Sequence, residues 1–540
     1  MDVHADTPDP LLTLLKKAFG YDSFRSGQRE LIEALLAGRD AVGVLPTGAG
    51  KSLVYQLPAL VGTGTTLVIS PLIALMKDQV DALLTLGIPA TFLNSSLSSE
   101  DRAARLEGLR RGAFRLAYVS PEGLGSSLGS ALAQLPLKLI AVDEAHCISS
   151  WGHDFRPAYR SLEGLKRRFG HVPILALTAT ATPVVEQDIV EQLAMVAPLR
   201  LRRSFFRPNL RLHAYKKGGE RDGVRHSILR LVSARRGQAG IVYCLARQSA
   251  ERTADFLKEH GIAARAYHAG LDSAERSEIQ DAFRCDDLEV VTATVAFGMG
   301  IDKPNVRYVL HRDMPRSMEA YYQEIGRAGR DGAPSECVLF YSWADVLNYD
   351  RFQSDAPAEV AERNHALVRT MYRFADGRGC RHRTLLDYLG ETHAVCTASC
   401  DVCAKLDLLA ETPAAARRGT SNAAANATPR RSTPVSLPTT GIDAPLVDSL
   451  KALRRTLSSA QKVPAYFIFS DATLLAIARA RPRDAQELLA ISGVGPRKLE
   501  QYGELFLRAV SARAVSAHNQ GEQNPVEAAA IPTPIVECAW

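Results

Sequence analysis

No apolar run in the chain approaches the roughly 20 residues needed to cross a bilayer. The opening residues, MDVHADTPDP, lack the basic-then-apolar pattern of a secretory signal. These two absences exclude membrane-spanning and secreted classes, so the expectation is a cytoplasmic protein with no membrane partner. Cysteine is scarce, at nine in 540 residues, which excludes a disulfide scaffold. Cys147, Cys244, Cys285, Cys337 and Cys538 are scattered singly. Charge of one sign is also lacking, since the net value is only +6. That permits a polyanionic partner without requiring one, because basic patches matter more than totals. The remaining composition, 46% hydrophobic and 23% charged, supplies sizeable cores for three or four domains.

From about residue 40 to 345, short apolar runs alternate with stretches of helical spacing. AVGVL (41–45), TTLVIS (65–70), FRLAYVS (114–120), LKLIAVD (137–143) and ILALTAT (174–180) predict buried strands. The pattern restarts after Pro208 with GIVYC (240–244), AARAYH (263–268), LEVVTAT (288–294) and VRYVLH (306–311). Alternation of this kind predicts an α/β fold of two tandem parallel-sheet lobes, 1–207 and 208–345, each covered by helices on both faces. A helical, charged module follows over 346–408 and contains the other four cysteines. Residues 409–441, rich in Ala, Thr, Pro, Ser and Asn, cannot offset their own ordering entropy and read as a flexible linker. Helical periodicity returns over 442–515 as a small all-α unit, and 516–540 reads as a flexible tail.

The strand AVGVL runs into PTGAGKS (46–52). Gly48 and Gly50 let the backbone curl, so that Thr47, Gly48, Ala49, Gly50, Lys51 and Ser52 can turn successive N–H groups towards phosphate oxygens at a helix N-terminus. Lys51 is placed to reach the β- and γ-phosphates of ATP, and Ser52 to hold Mg²⁺. Leu45 stands where the usual phosphate loop has its first glycine, and a Gly-rich turn without ligand shares this local pattern. The strand LKLIAV then delivers Asp143, Glu144, Ala145 and His146. Paired carboxylates at a strand end put Asp143 near the metal and Glu144 where it orients or deprotonates water. Solvated acids at a loop start are the alternative, but the upstream phosphate loop favours an NTPase. The second lobe offers Gln323, Arg327 and Arg330 in YYQEIGRAGRDG (321–332). Planar guanidinium groups suit phosphate oxygens, and arginines three apart on a helix turn could both face a cleft between lobes. The same spacing also suits a solvated face.

Just after the carboxylates, WGHDFRPAY (151–159) interleaves Trp151, Phe155 and Tyr159 with His153, Arg156 and the adjoining Arg160. Aromatic faces stack on bases at about 1–3 kcal/mol each, and arginines hold phosphates. Core aromatics would give a similar cluster. Cys380, Cys396, Cys400 and Cys403 supply four thiolates, the number needed for a closed tetrahedral Zn²⁺ site. His382 and His393 are neighbouring substitutes. A closed site serves folding rather than catalysis. In the last unit, Gly493 and Gly495 bracket a tight turn beside Arg497 and Lys498, a pattern that suits either a phosphate grip or a plain helix–helix turn.

These segments, in this order, resemble the superfamily 2 helicases and within them the RecQ family. FRSGQ (24–28), PLIALMKDQ (71–79), VSPEGL (119–124), the DEAH box (143–146), WGHDFRPAY, TATAT (178–182), YHAG (267–270), ATVAFGMGIDKPNVR (293–307) and QEIGRAGRDG carry the resemblance over nearly all of 10–345. It implies two RecA-like lobes and ATP hydrolysis through Lys51, Asp143, Glu144, His146, Gln323, Arg327 and Arg330. Adenine would be read by Gln28 with Tyr21 and Arg25 flanking. Single-stranded DNA would be sensed through Trp151, His153, Phe155 and Arg156. The resemblance further implies 3′→5′ unwinding of tailed or forked DNA in recombination, repair and replication, with single-stranded-DNA-binding and recombination proteins as further partners. The cysteine spacing has three residues between the second and third cysteines where the family usually has two. The unit at 443–515 resembles the family's HRDC domain. A winged-helix domain normally lies between the two, and the polar linker is too short to form one. A translocating, annealing or remodelling ATPase with weak unwinding is therefore the alternative expectation.

Overall fold

A computed structural model of the chain describes residues 9–71, 73–95, 97–125, 127–149, 154–218, 223–297, 303–352, 358–412, 443–461 and 463–518. Trp151 and His153 lie outside the described residues, as do the linker beyond Thr412 and the tail beyond His518.

Seven strands form the first sheet: β1 (Ala41–Val44), β2 (Thr65–Ile69), β3 (Ala90–Leu93), β4 (Leu116–Val119), β5 (Leu137–Val142), β6 (Ile174–Thr178) and β7 (Leu199–Arg202). Six form the second: β8 (Leu210–Lys216), β9 (Ala239–Tyr243), β10 (Ala264–Tyr267), β11 (Val290–Ala293), β12 (Val306–His311) and β13 (Ser335–Tyr341). Their orders are β3-β4-β2-β5-β6-β1-β7 and β10-β11-β9-β12-β13-β8, and every pairing is parallel. Central strands such as β1, β2, β4, β6 and β9 are buried on both faces, which is why they read as continuous apolar runs. The strands not foreseen are β3, β7, β8 and β13. Three of them, β3, β7 and β8, are sheet edges, and the sequences of the last two, LRLR and LRLHAYK, alternate instead of forming runs.

In the first sheet β5, β6 and β1 are neighbours. The phosphate loop follows β1, the DEAH box follows β5, and TATAT begins at the end of β6. Three chemically loaded segments thus emerge side by side at the carboxyl edge of one parallel sheet, where such folds bind ligands. The N-terminal helix Pro10–Phe19 starts on an Asp9 cap with Pro10 in its first turn, and ends at Gly20 with φ 76°. That left-handed residue favours glycine.

Helices Ala358–Asp376 and Arg381–Tyr388 build the module around the cysteines. Helices Ala444–Gln461, Asp471–Ala480 and Pro496–His518 build the last unit around a core of its own that includes Leu450, Phe469, Leu474 and Phe506. Residues 409–412, expected in the linker, are packed against the second lobe. Leu408 is buried in the second lobe's core, and Arg230 donates to the carbonyls of Leu409 and Thr412 at 2.6 Å each, which holds a short helix over Leu408–Glu411. Among the described residues, no helix is long and apolar enough to cross a membrane.

Gly240, in the central strand β9, has no room for a side chain because the ring of Tyr308 on β12 occupies the space. Gly240→Ala should therefore destabilise the second lobe by about 1–3 kcal/mol through overpacking. Urea denaturation checks this, and a midpoint equal to the parent's would contradict it.

Candidate nucleotide and zinc sites

The phosphate loop curls as its glycines require. Gly48 and Gly50 have φ of 83° and 74°, conformations that cost other residues energy. Lys51 Nζ lies 3.4 Å from the carbonyl oxygen of Leu45, so the lysine folds back over the loop. Gln28 is buried against it, with Nε2 donating to the carbonyls of Ala49 at 3.1 Å and Gly50 at 2.9 Å, while Oε1 accepts from Arg25 N–H at 2.8 Å. Arg25 also donates to the carbonyl of Gly48. Tyr21 remains 46% exposed. Of the three residues expected around adenine, Gln28 and Arg25 are held against the loop, and the amide of Gln28 is engaged by protein atoms.

At the end of β5, burial and the adjacent Glu144 carboxylate push Asp143 up to about 7, against the pull of Lys51. Tyr159 donates its hydroxyl to the carbonyl of Asp143 at 2.8 Å and is fully buried. It is a core residue bracing the DEAH turn, not part of an exposed aromatic array. Glu144 adopts φ 47°, a conformation rare outside glycine that recurs at functional turns. Its carboxylate lies 3.4 Å from His146 Nδ1.

The tautomer of His146 follows from its neighbours. The Thr178 hydroxyl donates to the carbonyl of Thr180 at 3.1 Å, so its oxygen accepts from His146 Nδ1 at 2.9 Å. Nε2 is then an acceptor, and it faces Gln323 Nε2 at 3.5 Å. Burial pushes the imidazole down to about 4, which keeps this acceptor available at neutral pH. Gln323 also donates to Thr180 Oγ1 at 3.1 Å. Since Gln323 belongs to the second lobe and His146 and Thr180 to the first, this cluster is a hydrogen-bonded bridge across the cleft. Thr178 and Thr180 are site residues not singled out from sequence, although TATAT at a strand end was the available signal.

The two arginines differ from expectation. The helix Met318–Ile325 ends before them, and residues 326–330 form a turn with Gly329 at φ 55°. A side chain on Gly326 would collide with Thr47, so the turn closes directly onto the phosphate loop. Arg330 approaches Gly48 so closely that a Cβ there would lie 3.5 Å from its Cα. Arg327 instead points inward and hydrogen-bonds Tyr243. The turn is held by residues that sequence reasoning missed. Arg207 donates to the carbonyls of Gly326 at 2.9 Å and Ala328 at 2.8 Å, and also to that of Gly329. Asn209 donates to Gly329 at 2.9 Å and Ala333 at 3.1 Å.

Of the segment expected to sense DNA, Phe155 and Arg156 are described. Arg156 pairs with Asp154 at 3.1 Å, and Arg160 lies over the Phe155 ring at 5.3 Å.

The sulfur atoms of Cys380, Cys396, Cys400 and Cys403 lie within 4.8 Å of one another. Backbone N–H groups of Cys396 and Arg383 point at Cys380 Sγ at 3.3 and 3.5 Å, and that of Cys403 at Cys400 Sγ at 3.4 Å. Four clustered sulfurs with N–H support fit a closed zinc site. His382 and His393 are not ligands. His382 Nε2 lies 3.1 Å from the carbonyl oxygens of both Leu210 and Ser399, and both imidazoles pack on Phe206.

The glycine turn of the last unit is spent on protein contacts. Gly493 N–H donates to the carbonyl of Gly20 at 3.2 Å, Arg497 donates to Thr85 O at 3.3 Å, and burial pushes Lys498 down to about 8.

Family models match four segments: DEAD/DEAH box helicase over 25–188, helicase conserved C-terminal domain over 223–332, RecQ zinc-binding over 343–404 and HRDC domain over 443–510. No winged-helix match falls between the last two. The chain is 38% identical to an ATP-dependent DNA helicase RecQ of Pasteurella multocida, over 92% of this chain and 93% of the relative. It is 37% identical to that of Bacillus subtilis, over 93% and 98%. The Pasteurella alignment runs over 592 positions, more than this chain's 540 residues, so the relative carries residues without counterpart here. Among solved structures, Mycobacterium smegmatis Lhr is similar at 24% identity and a TM-score of 0.51, over 64% of this chain and 50% of that one. Saccharomyces cerevisiae Dbp5 is similar at 18% and 0.52, over 67% and 98%. At those identities the structures speak for the fold alone.

Gln323→Ala should leave nucleotide binding intact and lower kcat for ATP hydrolysis by roughly ten- to a hundredfold, since it cuts the polar bridge while sparing the phosphate loop. Steady-state kinetics paired with a fluorescent-nucleotide titration would show this. Cys400→Ser should drop bound zinc well below one per chain and lower the unfolding temperature, because structural zinc contributes about 10 kcal/mol or more of folding energy. Atomic absorption and calorimetry measure both.

Proposed function

The chain belongs to the RecQ family of ATP-dependent DNA helicases, and on that premise we propose that it drives 3′→5′ movement and duplex unwinding by closing and opening the cleft between its two sheets. The observation that carries this reading is the approach of Arg330, from the second lobe, to Gly48 in the phosphate loop of the first.

In this reading ATP lies along Thr47–Ser52, with loop N–H groups and Lys51 drawing off phosphate charge. Ser52 and Asp143 would hold Mg²⁺, which supplies Lewis-acid stabilisation of the β- and γ-oxygens. The fit is chemical: Tyr55 hydrogen-bonds Ser52 and feels the charge of Asp143, and the buried Asp143 carboxylate is the group a divalent cation offsets. Glu144 takes the proton from the attacking water. Arg330 meets charge that develops on the γ-phosphate, a role worth about 10³–10⁵ in rate where it is established, while Arg327, bonded to Tyr243, braces the turn that carries it. The adenine edge competes with Ala49 and Gly50 for the amide of Gln28, so base recognition frees the loop.

Loss of the γ-phosphate removes the anion that draws Arg330 inward. The bridge from Gln323 to His146 and Thr180 then loosens and the lobes part. His146 follows Glu144 by two residues, and Phe155 and Arg156 lie shortly downstream, so DNA held by this segment and by Trp151 and His153 can bias the hydrolytic turn. Phosphate contacts of this kind make affinity fall steeply with salt.

A second reading is favoured by the missing winged-helix match. The chain then translocates on or remodels DNA with weak strand separation. The two readings separate in one assay, in which ATP hydrolysis and displacement of 3′-tailed and 5′-tailed duplexes are followed together. We expect DNA-stimulated hydrolysis, displacement of the 3′-tailed duplex only, and loss of both in Lys51→Ala. Strong stimulation without displacement selects the second reading. Parental hydrolysis by Lys51→Ala would refute both.

A further inference from the structure

The segment joining the two lobes, residues 203–209, is gripped from opposite sides. On one side the zinc module holds it. The Glu391 carboxylate accepts from Phe205 N–H at 2.7 Å and from the Ser204 hydroxyl. The Phe206 ring packs against His382 and His393, with centroids 5.2 and 4.3 Å away. On the other side, the same segment holds the arginine turn through Arg207 and Asn209, as described above. Tyr322, one turn before Arg327, closes the circuit by donating to the carbonyl of Phe205 at 2.9 Å.

Glu391 belongs to a stretch without regular structure, residues 391–396. Such a stretch holds a carboxylate in place only if its ends are fixed. Both ends are: Cys380 caps the preceding helix Arg381–Tyr388, and Cys396 follows Glu391 by five residues. Both cysteines belong to the four-sulfur cluster. The path from zinc module to nucleotide is therefore short: Glu391 to the Phe205 amide, two residues along the chain to Arg207, across to the carbonyls of Ala328 and Gly329, and on to Arg330.

We propose that Glu391 is a positioning residue for ATP hydrolysis, fixing the junction so that Arg207 presents Arg330 to the phosphate loop. It touches no substrate. The zinc module thereby sets the efficiency of hydrolysis as well as the stability of its own fold. This inference rests on the reading of Arg330 as the γ-phosphate contact, so its test includes that residue.

The test uses the full-length, zinc-loaded protein in four variants: Glu391→Ala, Glu391→Gln, Arg330→Ala and the double variant Glu391→Ala with Arg330→Ala. A misplacement of about 1 Å can cost up to about a hundredfold in rate. For Glu391→Ala we expect kcat of DNA-stimulated hydrolysis to fall roughly tenfold, with KM for ATP within about twofold and zinc unchanged by atomic absorption. Glu391→Gln keeps an oxygen for the Phe205 amide and should recover most of the rate. The double variant should be no slower than Arg330→Ala, because both act at one step. The proposal is overturned by zinc loss in Glu391→Ala, by an unchanged kcat, by failure of Glu391→Gln to recover, or by losses that multiply in the double variant. If Arg330→Ala alone keeps the parental rate, the γ-phosphate reading fails, a result distinguishable from failure of the relay.

Discussion

Gly48 has no side chain, and the volume a Cβ would fill there ends at van der Waals distance from the backbone of Arg330. The other features of the cleft depend on that proximity. Two parallel sheets, each with its own core, can act on one nucleotide only if the turn at residues 326–330 comes down onto the phosphate loop. The absence of a side chain at Gly326, where a Cβ would collide with Thr47, permits it. An ion pair between Asp78 and Arg284 joins the same two lobes away from the loop, and charge-assisted contacts of this kind fix orientation more than they add stability.

Burial does the electrostatic work inside the cleft. It keeps His146 neutral, so the imidazole passes one hydrogen bond back to Thr178 and can accept another from Gln323. It also raises the cost of ionising Asp143, a cost that the charge of Lys51 partly offsets. The polar groups of the cleft are largely held by protein partners, as the contacts of Gln28, His146 and Gln323 show. In Gln28 the atoms suited to an adenine edge are engaged by the loop itself.

The modules beyond the second sheet are bound to the motor by backbone polar groups. Leu212 N–H donates to the carbonyl of Ser399 and Ala214 N–H to the Asp401 carboxylate at 3.1 Å, so the zinc module occupies the edge of β8 and leaves less of it open to other strands. The last helical unit meets both lobes. Its glycine turn is on Gly20, while Arg454, in its interior, pairs with Asp471 at 2.8 Å and faces Asp286 of the second lobe at 3.7 Å. Neither module reads as independent of the motor once these contacts are drawn.

What sequence alone determined was local or periodic. The buried strands announced themselves as apolar runs. The phosphate loop, the DEAH turn and TATAT were legible because each is a short backbone conformation at the end of such a strand, written in consecutive residues. The four cysteines were legible because they cluster within one short stretch, 380–403, away from the singly scattered ones. Tertiary structure alone decided which residues meet. The neighbourhood of β5, β6 and β1 follows from sheet order, which no local pattern encodes. Tyr159 and Tyr21 are both tyrosines near motifs, yet one is a buried brace and the other exposed. Arg207 looked like any other arginine, because its partners are main-chain carbonyls, which every residue carries. His382 and His393 looked like spare zinc ligands and instead pack on Phe206. Contacts between residues more than a hundred positions apart depend on how two sheets face each other, and the physical cause of that facing is packing summed over the whole chain.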